Sequence, residues 1–395
     1  MAPLVNLQKC INLEDLQVAA KRRIPKVVYD FIEGGVDGED GLARNEDAFR
    51  KRPLMPRYMV DISARDQSAE LFGRRYASPF GIAPTGGIGN FRRGADLMLA
   101  AAARDADVPF IMSGTATASM EDMARIAPDH GWYQVYIAKD RAITEDMVRR
   151  ADALNLNALV ITVDVPARVN RERNRRNGFG RPLKLSLASR LNALKHPAWL
   201  YDYLRYGIAD LPNWAPYVGG SPTPVEVVEF AAGQTPGPVH FSDIERLREL
   251  WPRKLIVKGV MRADDAVRLA DAGVDGIMVS NHGARQLDRA PSPLDVLPSI
   301  DAAVGDRLTL MLDGGVRRGA DVLTAFCMGA KFVFLGRPTL YGAVAGGQAG
   351  AAHALSIVRN EVDLVMAQLG VTALMQLGRD FVEWDADELA RNRMR

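Results

Sequence analysis

The sequence predicts a parallel (β/α)8 barrel. Three observations point to it. Eight short apolar runs, rich in Val, Ile, Leu or Phe, punctuate the 395 residues. Amphipathic stretches alternate with them. Polar or glycine residues stand at or just before the end of each run. Runs of this kind suit strands buried on both faces, and a strand–helix alternation that closes at eight suits a barrel. The competing arrangement is a doubly wound open sheet. It is disfavoured because the count needs no break in strand order.

The runs are FGIAPTG (80–86), PFIMSG (109–114), WYQVYI (132–137), ALVITVDV (158–165), LIVKGV (255–260), GIMVSN (276–281), LTLMLDGGV (308–316) and KFVFLGR (331–337). Helical patterns fill the gaps, several opening on Ser, Thr or Asp at the cap position. ALSIVRNEVDLVMAQLG follows the eighth run. Two regions lie outside the repeat. Residues 1–79 form an N-terminal extension with a helical pair, LEDLQVAAKRRI and PKVVYDFIEGG, then a connector. An insertion at about 166–241 follows the fourth run. That length is unusual for a structureless loop, so short helices or a function of its own are expected there. The chain 1–395 reads as one domain.

Bulk properties narrow the function. Apolar residues make up 48% and charged residues 25%, ordinary for a soluble globular protein. A net charge of +2 gives no reason to expect a nucleic-acid partner. Cys10 and Cys327 are far apart, in neither metal-ligand nor disulfide-framework spacing, and read as buried apolar groups in a reducing compartment. No metal site is expected. No window of 18 apolar residues occurs, so no spanning segment is expected. The opening residues lack a basic stretch followed by an apolar one, so no secretory leader is expected, and the expected location is cytoplasmic.

In such barrels chemistry gathers at the C-terminal strand ends. Here those ends carry Pro84, Thr85, Gly86, Ser113, Gln134, Tyr136, Thr162, Asp164, Lys258, Ser280, Asn281, His282, Asp313, Gly314, Gly315, Gly336 and Arg337. LDGGVRRGAD and FLGRP lie at runs seven and eight, where glycine N–H groups beside arginines cradle a phosphate well. Gly314, Gly315, Arg317, Gly336 and Arg337 are the candidates. Lys258 ends a buried strand and needs an anionic partner, either a rim carboxylate or a flavin ring that turns anionic on reduction. His282 has the residue type whose pKa suits a general base near neutrality. Asp164 is placed to orient it. Arg285 and Arg171 offer planar forks for a carboxylate. Tyr136 is the better candidate for a hydroxyl on the substrate. Tyr29 reads equally as a core residue of its amphipathic helix.

Read together, VVYDFIEGG, IAPTG, WYQVYI, TVDVP, VKGV, SNHGARQLD, DGGVRRGAD and FLGRPTLYG resemble, in this order, the FMN-dependent α-hydroxy-acid oxidase and dehydrogenase family. Glycolate oxidase, L-lactate dehydrogenase and (S)-mandelate dehydrogenase belong to it. The resemblance covers about residues 12–370. It implies FMN as cofactor, oxidation of an (S)-2-hydroxy acid to the 2-keto acid, and a homotetramer. It implies His282 as base with Asp164 as its partner, and Arg171 and Arg285 on the substrate carboxylate. Tyr29 and Tyr136 would bond the substrate, and Lys258 would stabilise the reduced flavin. Pro84, Thr85, Gly86, Ser113, Gln134, Thr162 and Ser280 would contact the flavin. Asp313, Gly315, Arg317, Gly336 and Arg337 would hold its ribityl phosphate. The chain departs from the pattern at Ala284, where the family has a second glycine after the histidine. Gly86 stands where many oxidases carry alanine, which inclines the reading toward a mandelate- or lactate-type dehydrogenase that passes electrons to a quinone or carrier. The alternatives are an oxidase that uses oxygen, another FMN barrel, or a catalytically silent flavin binder. Gly86, Ile88, Phe91 and the insertion are the expected walls of the side-chain pocket, with room for a bulky acid.

Between Arg171 and His196 stand eight Lys or Arg against one Glu, a net +7. LKLSLASRLNALKHPAWLYDYLRYG then mixes basic, leucine and aromatic residues at near-helical spacing. One reading is peripheral contact with an anionic membrane, on the inner face of the cytoplasmic membrane. The resemblance also implies this, because bacterial members have a membrane-associating segment at the same place. The other reading is a solvated lid or subunit contact over a positive mouth that attracts acids.

Overall fold

A computed structural model describes residues 5–179, 186–235 and 237–384. Eight parallel strands close into a barrel. They are β1 (Phe80–Ile82), β2 (Phe110–Met112), β3 (Gly131–Tyr136), β4 (Ala158–Thr162), β5 (Lys254–Val260), β6 (Gly276–Val279), β7 (Thr309–Asp313) and β8 (Phe332–Leu335). β8 pairs with β1, so no edge is left open. Every predicted run holds one of these strands. Most strand residues are buried on both faces, as continuous apolar runs require. The registers set Tyr136 of β3, Thr162 of β4 and Lys258 of β5 side by side.

An antiparallel hairpin, Ala69–Leu71 with Arg74–Tyr76, precedes the barrel. Phe72 at its tip lies 5.9 Å, ring to ring, from Trp132 near the start of β3. The hairpin therefore covers the end opposite the expected site. The N-terminal pair forms helices Leu13–Arg23 and Lys26–Glu33. A third helix, Asp40–Arg50, stands where the sequence suggests only a connector. Its buried face, with Gly41, Asn45, Ala48 and Phe49, mixes polar and small residues, so no apolar periodicity announces it. The insertion folds into helices Glu172–Arg176, Leu187–Ala193, Pro197–Tyr206 and Pro224–Gln234.

The largest departure follows β8. A helix begins at once and runs Arg337–Leu369, broken at Gly347, where φ is 65° and ψ −142°. The sequence signals only its second half. The first half is rich in glycine, poor for helix propensity but suited to close packing. A Cβ on Gly342 would lie 2.3 Å from the Gly350 carbonyl oxygen. Because the helix starts directly after β8, its N-terminus stands at the barrel mouth.

Asp96, in the first turn of helix Ala95–Asp105, joins the loops that follow β1 and β2. Its carboxylate accepts from the Thr117 N–H at 3.1 Å and from the Thr117 hydroxyl. That hydroxyl oxygen in turn accepts from the Gly89 N–H at 3.0 Å. Burial pushes the Asp96 carboxyl up to about 6 from an ordinary 3.8. Folding therefore favours the protonated acid. This group's stabilising share is full below pH 4 and is lost as pH rises through 6. Asp96→Asn keeps an acceptor and removes the titration. Urea unfolding from pH 4 to 7 is expected to show the variant gaining on the parent by about 3 kcal/mol at most. A difference independent of pH would refute the assignment.

Candidate active site

The turn after β6 carries the histidine. His282, Gly283 and Ala284 have φ of 59°, 62° and 60°. Three successive left-handed residues are rare, because only glycine adopts that region freely. Each non-glycine costs about 1 kcal/mol or more, so the surroundings must enforce the turn. Ser280 Oγ accepts the His282 N–H at 3.0 Å, and Asn281 Oδ1 accepts the Ala284 N–H at 3.1 Å. Asn281 is itself locked to Asn45 of helix Asp40–Arg50 by reciprocal amide bonds of 2.7 and 2.9 Å. The Ala284 methyl is fully buried. It fits because position 41 is glycine, where a Cβ would stand 2.9 Å from it.

His282 Nδ1 lies 2.9 Å from Asp164 Oδ1. This bond leaves Nε2 as the ring nitrogen available to the cavity that His282 lines. Gly259 permits the approach. Its φ is 103°, and a Cβ there would sit 2.6 Å from the Asp164 Cβ. Burial alone would raise the Asp164 carboxyl. The His282 charge and hydrogen bond, with Lys258 behind them, instead hold it below its ordinary value. It remains a carboxylate, able to steady an imidazolium.

Lys258 is buried, 3% exposed. Its ammonium donates to Ser280 Oγ at 2.7 Å and pairs with Asp313 Oδ2 at 2.9 Å. The rim carboxylate considered for it is therefore Asp313, and the lysine still lines the cavity.

Three arginines gather opposite. Arg285 Nη1 donates to the carbonyls of Phe31 (2.9 Å) and Gly34 (2.6 Å) at the end of helix Lys26–Glu33. Arg337 donates to Ile32 (2.9 Å), Gly34 (3.0 Å) and Gly283 (3.1 Å). Arg171 enters from the start of helix Glu172–Arg176, and its buried Nε has no partner among the described residues. Burial lowers the pKa of all three, most of all Arg285, which also faces the charges of Arg171 and Arg337. An anion in the cavity would relieve this. Tyr136 stands beside Thr162 with its phenol pushed up by burial and by Asp164, so it stays a donor.

Tyr29 does not join them. Its hydroxyl accepts from Gln17 at 3.0 Å and donates to Glu33 at 3.4 Å, and it is absent from the cavity wall. The cavity face of that helix is Val27, Val28, Phe31 and Ile32. Their spacing was the available signal, since Tyr29 lies about 200° around the helix from Phe31. Ile88 is likewise buried in the core, whereas Phe91 does line the cavity. Thr115 also lines it and was missed.

The flavin candidates form a second group. Pro84, Thr85, Gly86, Thr162, Lys258 and Asp313 line the same cavity of about 1200 Å3. Ser113 and Gln134 sit behind it. Gln134 Oε1 accepts from the Gly114 N–H (3.0 Å) and from Ser113 Oγ (3.2 Å). Gln134 Nε2 and Thr162 Oγ1 are buried without partners among the described residues. Such groups call for a polar ligand edge, which an isoalloxazine ring provides. At the far end, Gly314 and Gly315 have φ of 102° and 85°. Gly315 is obligatory, since a Cβ would fall 2.3 Å from the Asn45 carbonyl oxygen. Gly336 opens the helix that starts at Arg337, a natural phosphate seat. Arg317 is there, with Nε on Glu46 at 3.2 Å. The residues present therefore fit FMN.

Comparison with known proteins agrees. A sequence model of the FMN-dependent dehydrogenase family matches residues 20–384. (S)-Mandelate dehydrogenase of Pseudomonas putida is 37% identical over 377 residues, 95% of this chain and 94% of that protein. Glycolate oxidase 1 of Oryza sativa subsp. indica is 34% identical over 380 residues, 96% of this chain and 97% of that protein. The crystal structure described as the monotopic membrane protein (S)-mandelate dehydrogenase superposes with a TM-score of 0.90 at 36% identity, covering 95% of this chain and 99% of that one.

Gly86 leads to a test of the geometry. A Cβ there would lie 2.0 Å from Thr115 Oγ1 and 3.2 Å from Ser113 Oγ. Gly86→Ala is expected to destabilise the protein by about 1–3 kcal/mol. Adding Thr115→Ala should restore most of that loss. Thermal unfolding of the two variants decides it. A double variant no better than the single one would refute the contact.

Proposed function

The chain belongs to the FMN-dependent dehydrogenase family and is an FMN enzyme that oxidises 2-hydroxy acids; from this premise we propose that it works as a dehydrogenase, with His282 as its base. The observation that carries the assignment is one shared cavity. His282, backed by Asp164, lines it together with Tyr136, Arg171, Arg285 and the strand ends fitted to FMN.

FMN supplies the two-electron acceptor for the substrate's C–H bond. The chain's own residues do the rest. Arg171 and Arg285 take the carboxylate, which fixes the orientation of the α-carbon. Tyr136 donates to a substrate oxygen. His282 Nε2 takes the proton the substrate gives up, and the Asp164 carboxylate stabilises the resulting imidazolium. Lys258, between Ser280 and Asp313, holds positive charge beside the position of the flavin ring. The insertion and Phe91 shield the reacting centre from water. Gly86, which stands where many oxidases of the family carry alanine, supports the dehydrogenase over the oxidase. Phe31, Phe91 and Phe179, which line the cavity, support a bulky acid of the mandelate type.

The insertion supports a membrane contact. Leu187, Leu191, Leu194, Tyr201 and Leu204 are each more than half exposed. Exposed Arg190, Lys195 and Arg205 lie among them. Among the described residues no helix is long and apolar enough to cross a membrane, so the segment would lie on the surface. Arg181 and Lys184 of the basic run fall outside the described residues. A homotetramer belongs to the same proposal.

Two experiments test this reading. His282→Gln should keep FMN bound while anaerobic flavin reduction by (S)-mandelate slows roughly a thousandfold or more; near-parental reduction would remove His282 as base. The holoenzyme should sediment with phosphatidylglycerol vesicles and not with phosphatidylcholine ones. Replacing Leu187, Leu191 and Leu204 together by Ser should abolish this. Sedimentation that survives the triple substitution would sink the membrane contact.

A further inference from the structure

Phe31 comes from helix Lys26–Glu33, Phe91 from the loop after β1, and Phe179 from the insertion. All three line the cavity. The Phe31 ring stands 5.7 Å from the Phe91 ring and 5.0 Å from the Phe179 ring. Both guanidiniums of the carboxylate clamp also lie over it, Arg285 at 5.1 Å and Arg171 at 5.7 Å from its centroid. The Phe31 carbonyl is one of the acceptors holding Arg285.

We propose that Phe31 is a specificity-determining and positioning residue: its ring seats both arginines of the clamp and, with Phe91 and Phe179, forms the wall that takes an aromatic or bulky apolar substituent. The inference rests on the 2-hydroxy-acid reading. A guanidinium stacked on an aromatic face keeps its N–H groups in its own plane, free to grip a carboxylate edge-on. One ring shared by two arginines fixes them relative to each other, so the clamp does not depend on long side chains finding their own geometry. Phe31 has no hydrogen-bonding group, and neither do its two aromatic neighbours. A hydroxylated or charged substituent would lose its water there without replacement, whereas a phenyl group meets ring edges and faces.

The holoenzyme, with flavin content checked, tests this through Phe31→Leu and Phe31→Tyr. Leucine keeps the apolarity and removes the ring; tyrosine keeps the ring. Steady-state kinetics with (S)-mandelate and (S)-lactate are expected to show Phe31→Leu raising KM for both acids by roughly tenfold, the loss of two stacked cation contacts. Its kcat should fall as well, by less than KM rises, because a loosened clamp also orients the α-carbon less well, and the mandelate-to-lactate ratio of kcat/KM should fall. Phe31→Tyr should keep the parental ratio. Unchanged KM values in Phe31→Leu, or a raised KM with an unchanged ratio, would overturn the proposal. If Phe31→Leu does not fold, titrating the parental holoenzyme with phenylacetate and with acetate, read by the flavin absorbance, still decides. Phenylacetate should bind at least roughly tenfold more tightly, as a phenyl group in a desolvated apolar pocket does, and equal affinities would overturn the wall. If neither hydroxy acid bleaches the parental flavin, the functional reading fails instead, and the inhibitor titration judges the wall by itself.

Discussion

Burying several cations in one barrel mouth is costly, and much of this structure answers that cost. Lys258 and Arg317 meet carboxylates, Asp313 and Glu46. Arg285 and Arg337 meet backbone carbonyls instead, at Phe31, Ile32, Gly34 and Gly283. Most of these belong to the end of helix Lys26–Glu33, where the helix dipole is negative. The mouth thus solvates Arg285 and Arg337 mainly with backbone dipoles, with only the charge of Glu33 nearby. Dipoles ease burial without neutralising, so the guanidiniums stay hungry for an anion. A carboxylate at one end and a phosphate at the other, as proposed above, would meet that demand.

This divides the chain by task. The strand ends supply the groups that face the reacting centre: Tyr136, Thr162, Lys258 and the turn that follows Ser280. The N-terminal extension supplies the carbonyls that hold Arg285 and Arg337, the Phe31 seat, and Asn45. The insertion supplies Arg171 and Phe179. On the proposed reading the redox chemistry belongs to the barrel and the grip on the substrate to what was added around it, as expected where loops carry specificity on a rigid scaffold.

The barrel was legible because its strands are buried on both faces and so spell unbroken apolar runs. The rim residues were legible because they stand directly after those runs. Tyr29 misled because one helix offers two aromatics two positions apart, and only the packing of Val27, Val28 and Ile32 tells which faces inward. Helix Asp40–Arg50 was hidden because its buried face, Phe49 apart, is polar and small. Its Asn45 bonds a partner 236 residues away, and no local pattern encodes such a contact. The start of helix Arg337–Leu369 was hidden by its glycines, which lower propensity while permitting the Gly342–Gly350 approach. Ala284 looked anomalous in isolation; it becomes intelligible only beside Gly41, where the missing side chain leaves room for its methyl.

The Asn45–Asn281 pair has a consequence for the order in which the protein is made. Synthesis proceeds from the N-terminus at roughly 5–20 residues per second. Asn45 leaves the ribosome well before Asn281, and β7 and β8 come later still. Until Asn281 is made Asn45 lacks its partner, and until β8 is made β1 has an unpaired edge. A nascent chain therefore carries the first half of its site as exposed polar surface with no use for it. The ring closes only when β8, the last strand to be made, reaches the free edge of β1.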